Sequence, residues 1–159
     1  MEVTKLDIPG ALLIAPVVIG DERGFFAETY REPLWSAHGV PSQWAQDNHS
    51  RSSRGVLRGM HFAVGEGQAK LVRCARGAIL DVIVDLRKQS PTYRRWEAVE
   101  LSDENMHQLY VPIGLAHGFV VLSEVADVTY KCSTPYDPAV ERGIAYDDPQ
   151  LGIQWPSGF

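Results

Sequence analysis

Arg58 and His61 stand three residues apart beside two glycines in Arg54-Gly55-Val56-Leu57-Arg58-Gly59-Met60-His61-Phe62. An imidazole that titrates near neutral pH and a guanidinium with a fixed fork of donors are candidates for chemistry if they share one cavity. On an extended strand, residues at odd spacing face opposite ways, so both enter one cavity only if a bulge or bend intervenes, and Gly59 can supply it. Without that bend they read as a surface arginine and a hydrogen-bonded turn histidine. Lys70, in Gln68-Ala69-Lys70-Leu71-Val72, opens an apolar strand. Burying its charge there is costly without an anionic partner, so it is either a snorkelling edge residue or a cavity cation.

His117 follows Pro112 and Gly114 in Val111-Pro112-Ile113-Gly114-Leu115-Ala116-His117-Gly118-Phe119, the Pro-x-Gly-x-x-His half of the cupin signature. Metal-binding cupins add a His-x-His pair and a Glu on earlier strands, whereas here Phe62 and Ala63 follow His61. At most two histidines converge, and we expect no catalytic metal. Tyr130, inside Asp127-Val128-Thr129-Tyr130-Lys131, would ordinarily be core or rim packing. Tyr136 and Tyr146 lie in turns, where a flat ring stacks on a base or covers a barrel mouth.

The elements that must position these residues read as short strands. Runs from Lys70 to Cys74, Ala78 to Leu86, Tyr93 to Leu101, Met106 to Val111, His117 to Leu122 and Asp127 to Cys132 are separated by turn residues. That spacing is typical of a sandwich or barrel. Ile79, Leu80, Val82, Ile83 and Val84 are nearly continuous, which predicts a strand covered on both faces. One short helix is predicted from Glu32 to His38, behind Thr29 and with Pro33 near its start. The tail from Pro149 to Phe159 reads as an ordered strap. The fold class is therefore all-β, a cupin-like double-stranded β-helix jelly roll with one or a few short helices.

With 159 residues, 45 % hydrophobic, the chain suits one domain over residues 1–159. A net charge of −5 and scattered Lys and Arg argue against a nucleic-acid surface. The first ten residues show no basic start with a long apolar run, and no apolar stretch is long enough for a bilayer, so we expect a cytoplasmic chain without membrane partners. Cys74 and Cys132 lack metal-ligand spacing and read as buried, reduced thiols.

In combination the motifs resemble the dTDP-4-dehydrorhamnose 3,5-epimerase family, from about Leu6 to Pro156. They are Asp21-x-Arg23-Gly24-x-Phe26-x-Glu28, Gln46-x-Asn48-x-Ser50, the run from Gly55 to Phe62, Gln68 to Val72, Asp81 to Arg87, Leu115 to Phe119, and Tyr130 followed by Tyr136. The resemblance implies an epimerase that inverts C3, C5 or both in a nucleotide-linked 4-keto-6-deoxyhexose, without a cofactor. It makes His61 the base beside the ketone, Tyr130 the proton donor from the opposite face, and Lys70 the stabiliser of the enolate. It assigns Arg58 to the diphosphate and Gln46, Asn48, His117 and Glu141 to further substrate contacts, with Tyr136 stacking on the nucleobase. It also implies a homodimer with exchanged N-terminal strands, in which Arg23 and Glu28 reach the neighbouring subunit's substrate, with Phe26 a further contact.

Two departures bear on this reading. Family members performing the double inversion continue past a Trp-Pro element to an aspartate that pairs with the catalytic histidine. Here three residues follow Trp155-Pro156, so a different orienter of His61 is expected, with Asp81 and Asp148 as candidates. The loop Ala63-Val64-Gly65-Glu66-Gly67, which would border the sugar, is short and lacks the family's polar residue and paired prolines. The alternatives are a sugar-nucleotide 3,4-ketoisomerase and a cupin that binds a nucleotide sugar without catalysis.

Overall fold

A computed structural model describes residues 1–158, which form thirteen strands and one short helix. One sheet has six strands in the order β1 (Glu2–Lys5), β2 (Leu12–Ala15), β10 (Gln108–Val111), β7 (Lys70–Arg76), β12 (Val125–Cys132) and β5 (Gln46–Ser53). The second has five, β13 (Glu141–Gly143), β6 (Leu57–Ala63), β11 (Leu115–Val121), β8 (Ala78–Asp85) and β9 (Trp96–Ser102). A separate hairpin joins β3 (Val18–Asp21) to β4 (Gly24–Ala27). All neighbours within the two large sheets run antiparallel. This is the expected all-β jelly roll.

The sheets face each other across an apolar core. Val72, Cys74, Leu109, Val111 and Val128 come from the six-stranded sheet, and Ile79, Ile83, Leu101, Leu115 and Phe119 from the five-stranded one. Strand β8 is covered on both faces, as its continuous apolar run predicts. Ile79 and Ile83 enter this core, while Val82 and Val84 join Met60 and Ala116 on the other side. There Leu151, Ile153 and Trp155 pack over them, and Trp155 Nε1 donates to the Tyr146 carbonyl at 2.8 Å. Within the described residues the tail is thus an ordered strap.

The helix α1 (Glu32–Ser36) is shorter than expected, and Thr29 does not cap it. The capping position is Arg31, whose side chain makes no cap bond. Thr29 instead offers its carbonyl to Gln108 Nε2 at 2.7 Å, while Gln108 Oε1 accepts from Trp35 Nε1 at 3.1 Å. Trp35 is 1 % exposed and packs with Leu12, Ile14, Leu71 and Tyr110 on the outer face of the large sheet. Tertiary burial of one aromatic holds a helix too short to stand alone.

Two strands begin later than the hydrophobic pattern predicts. The expected Tyr93 to Leu101 run starts at Trp96 because the preceding turn is organised around buried Asp85. Its carboxylate accepts from Arg87 Nε at 2.9 Å, Ser90 Oγ at 2.5 Å and Thr92 Oγ1 at 2.6 Å. Burial alone would raise its pKa, but these bonds outweigh it and hold the group well below the usual carboxylate range. Strand β10 starts at Gln108 because Met106 takes a left-handed φ of 56° and Asn105 Oδ1 accepts from the backbone of Ser102 and His107.

Candidate active site

The predicted bend on β6 is present. Against β11, His61 pairs with His117 and Arg58 with Phe119, so three steps on one strand meet two on the other, a β-bulge. Gly59 makes it sterically feasible: its φ is 134°, and a Cβ there would lie 2.5 Å from Gly118 Cα. The bulge turns Arg58 and His61 toward the same cavity, where both appear with Lys70, His117 and Tyr130.

That cavity has two lobes, of about 410 and 370 Å³, sharing Ser50, His61, Lys70 and Tyr130 at their junction. The size suits a ligand larger than a single sugar ring. Arg58, His117 and Phe119 extend one lobe; Gln46, Asn48, Gln68, Tyr136 and Glu141 line the other. His61 projects from the five-stranded sheet, Lys70 and Tyr130 from the six-stranded one. Titratable side chains therefore face one space from opposing sheets.

Burial sets the electrostatics. It lowers the His61 pKa, and the Lys70 and His117 charges push the same way, against a smaller opposing effect of Glu141. A neutral imidazole able to accept a proton is thereby favoured. Lys70 is 8 % exposed and makes no ion pair among the described residues; desolvation lowers its pKa, opposed by Cys132, Glu141 and Asp81. Its ammonium lies 5.8 Å from the centre of the Tyr130 ring. The snorkelling alternative is thus set aside in favour of a cavity cation. Burial also raises the Tyr130 pKa and pushes the Cys132 thiol up to about 11. Cys74 and Cys132 are both free and buried.

Neither expected carboxylate partner orients His61. Asp81, fully buried, has its Oδ1 2.6 Å from His117 Nε2. The cross-strand register of β8 and β11 brings these two inward side chains together, since Asp81 pairs with Phe119 and Ile83 with His117. Asp148 uses its carboxylate to accept from the Gln150 backbone at 2.8 Å. Among the described residues no carboxylate lies within ion-pair distance of His61, nor do three His, Cys, Asp or Glu side chains gather as a metal site.

Arg23, Phe26 and Glu28 do not reach this cavity within one chain. Arg23 is exposed and pairs with Asp21, while Phe26 and Glu28 line a separate cleft with Val17, Ile19 and Leu34. Three site residues were not anticipated. Ser50 touches both lobes, and its buried Oγ has no hydrogen-bond partner. Ser52 Oγ accepts from Arg58 Nε at 2.9 Å, and Gln68 Nε2 donates to the Thr134 carbonyl at 2.8 Å. The period-two continuation of Gln46-x-Asn48 to Ser50 and Ser52 was the available signal.

Residues 5–159 match the family model for dTDP-4-dehydrorhamnose 3,5-epimerase. An enzyme of that name from Methanothermobacter thermautotrophicus is 50 % identical over 152 residues, covering 96 % of this chain and 82 % of its own length. A dTDP-4-dehydrorhamnose 3-epimerase from Streptomyces niveus is 45 % identical over 160 residues, covering 99 % and 77 %. The crystal structure of the 3,5-epimerase from Legionella pneumophila, in complex with dTDP-4-keto-L-rhamnose, superposes with a TM-score of 0.95 at 45 % identity, covering 99 % of this chain and 84 % of that one. Sequence, fold and the convergence of His61, Lys70 and Tyr130 agree: the chain belongs to the dTDP-4-dehydrorhamnose 3,5-epimerase family.

Proposed function

We propose that this enzyme inverts the carbons flanking the C4 ketone of a dTDP-linked 4-keto-6-deoxyhexose. His61 removes the proton next to the carbonyl, the C–H electron pair becomes the C=C bond of an enolate, and the Lys70 ammonium meets the charge on oxygen. Tyr130 then gives its phenolic proton to the opposite face of the same carbon, and the ketone re-forms. Solvent restores both side chains, so atoms and charge balance without a cofactor. The observation that carries this reading is the placement of His61 and Tyr130 on opposing sheets with buried Lys70 at the same junction. A preorganised cation in a poorly hydrated site is worth far more to an enolate than in water.

In the same reading Arg58 binds the diphosphate, held by Ser52; Tyr136, 60 % exposed at the rim, stacks on the nucleobase; and Gln46, Asn48, His117 and Glu141 contact the substrate. The enzyme works in the cytoplasm as a homodimer, one domain per chain, with Arg23, Phe26 and Glu28 of each arm completing the neighbour's site. The arm supports this, because Val17, Ile19, Phe25 and Phe26 are each more than half exposed, and a lone two-stranded sheet is marginal in water. Among the described residues no helix is long and apolar enough to cross a membrane.

The test is incubation with dTDP-4-keto-6-deoxyglucose in deuterated water, following the C3 and C5 protons by NMR, with His61→Ala as control. Loss of both signals, absent in the variant, is expected of a 3,5-epimerase. Exchange at one carbon alone supports a single-site enzyme, the second reading that the 45 % identical 3-epimerase favours. A product with its carbonyl moved identifies a ketoisomerase, and binding without exchange at either carbon overturns the catalytic reading.

A further inference from the structure

Three bonds in the cavity wall run in one direction. The Tyr136 backbone N–H donates to Gln46 Oε1 at 2.8 Å, and Gln46 Nε2 donates to Asn48 Oδ1 at 2.8 Å. Asn48 Nδ2 then faces the end of the chain, where it donates to Cys132 Sγ at 3.7 Å with Tyr130 directly across from Asn48 on the neighbouring strand. The first donor fixes the sense of all the others. A backbone N–H can only donate, so Gln46 must turn its oxygen toward Tyr136 and its amino group toward Asn48; Asn48 must then present its own amino group beyond. The β-sheet register supports this end point, because Asn48 and Tyr130 are direct cross-strand partners of β5 and β12 on the face lining the cavity.

We infer that Gln46 and Asn48 form a polarised relay that positions Tyr130 as the acid and receives its phenolate. With Asn48 donating to the phenolic oxygen, the O–H proton is left free to point at the substrate carbon. When Tyr130 gives that proton up, the O–H bond breaks, the enolate electron pair forms the new C–H bond, and the Asn48 N–H meets the phenolate charge. A charge-assisted bond of this kind is stronger than its neutral counterpart, so it favours the product side of the proton transfer. It opposes the burial that otherwise holds the Tyr130 pKa up. The relay also ties the acid to Tyr136, the residue placed at the nucleobase. Asn48 and Gln46 are here positioning residues, in addition to any contact with substrate.

This inference rests on Tyr130 being the acid, and the test separates the two. Deuterium exchange at the reacting carbon and net inversion are measured together for wild type, Tyr130→Phe, Asn48→Asp and the double variant. If the relay holds, Asn48→Asp lowers inversion about tenfold more than it lowers exchange, the loss of one hydrogen bond to a charged group. Its defect adds nothing to that of Tyr130→Phe, and its alkaline pH limb shifts upward. Gln46→Glu leaves Asn48 and Tyr130 themselves unchanged but replaces the donor to Asn48 Oδ1 with an acceptor, so it forces Asn48 to reverse its amide and gives the same signature. If Tyr130→Phe inverts normally, the acid assignment itself fails. If Tyr130→Phe is defective but Asn48→Asp raises KM with the ratio of inversion to exchange intact and adds to the Tyr130 defect, Asn48 only binds substrate and the relay is overturned.

Discussion

His117 Nε2 lies 2.6 Å from Asp81 Oδ1, and both residues are buried, at 5 % and 0 % exposure. The second carboxylate oxygen has no partner, so the pair depends on this single contact. Asp81→Ala leaves a buried imidazole nitrogen unsatisfied, which costs about 2 kcal/mol and lowers the melting temperature by about 5 °C. Asp81→Leu combined with His117→Phe removes both polar groups and recovers most of that stability, though not activity, since His117 lines the site. Thermal melts of the single and double variants check this; additive losses would contradict coupling between the two residues.

The pH dependence follows from His61. Its pKa is lowered from the ordinary 6.5 first by burial and then by Lys70 and His117, while Glu141 acts in the opposite sense. As the proposed base, His61 must be unprotonated, so the acid limb of kcat/KM lies below the ordinary imidazole value of 6.5. Lys70→Met removes a neighbouring positive charge and moves the His61 titration upward, whereas Glu141→Gln moves it downward. Titrating the His61 ring by NMR reads both shifts independently of turnover. Shifts of the same sign in the two variants would refute this electrostatic ordering.

How much of this was legible in the sequence depended on which physical signal each element carried. Strand β8 was readable because both its faces are apolar. Strand β5, Gln46–Ser53, has no hydrophobic residue at all. Its inner face lines a polar cavity and its outer face carries Arg51, which forks Asp127 with bonds of 2.7 and 2.8 Å. Hydrophobic periodicity is silent for such a strand, so the resemblance found Gln46 and Asn48 where pattern could not. The partner of His117 was hidden for another reason. Asp81 meets it through a register between distant strands, and register is not written in local composition.

The bulge that brings Arg58 and His61 together depends on two glycines in contact. A Cβ on Gly59 would meet Gly118 Cα at 2.5 Å and the His117 carbonyl at 3.0 Å, while one on Gly118 would meet Met60 Sδ at 2.7 Å. The φ of 134° at Gly59 adds backbone strain for any other residue. Gly59→Ala therefore costs about 3 kcal/mol, more than a surface change, and separates Arg58 from His61. Chemical denaturation with a parallel measurement of dTDP affinity checks both parts. A stable variant that binds and turns over normally would show that the bulge can form without glycine.

The proposed arm exchange between subunits makes a prediction that no single variant tests. Arg23 is 85 % exposed on its side chain and lies outside its own chain's cavity, whereas His61 lies inside it. Arg23→Ala and His61→Ala homodimers are each expected to be nearly inactive. Mixed by refolding, half of the dimers carry one chain of each kind. If arms are exchanged, each mixed dimer contains one site with both an intact His61 and an intact Arg23 from its neighbour, and about a quarter of wild-type activity returns. If each arm serves its own chain, every site in the mixed dimer lacks one of the two residues and nothing returns. A size-exclusion profile of Phe25→Ser, Phe26→Ser completes the test: loss of the apolar arm surface shifts the enzyme toward monomer and removes activity, while an unchanged dimer would mean that another surface holds the chains together.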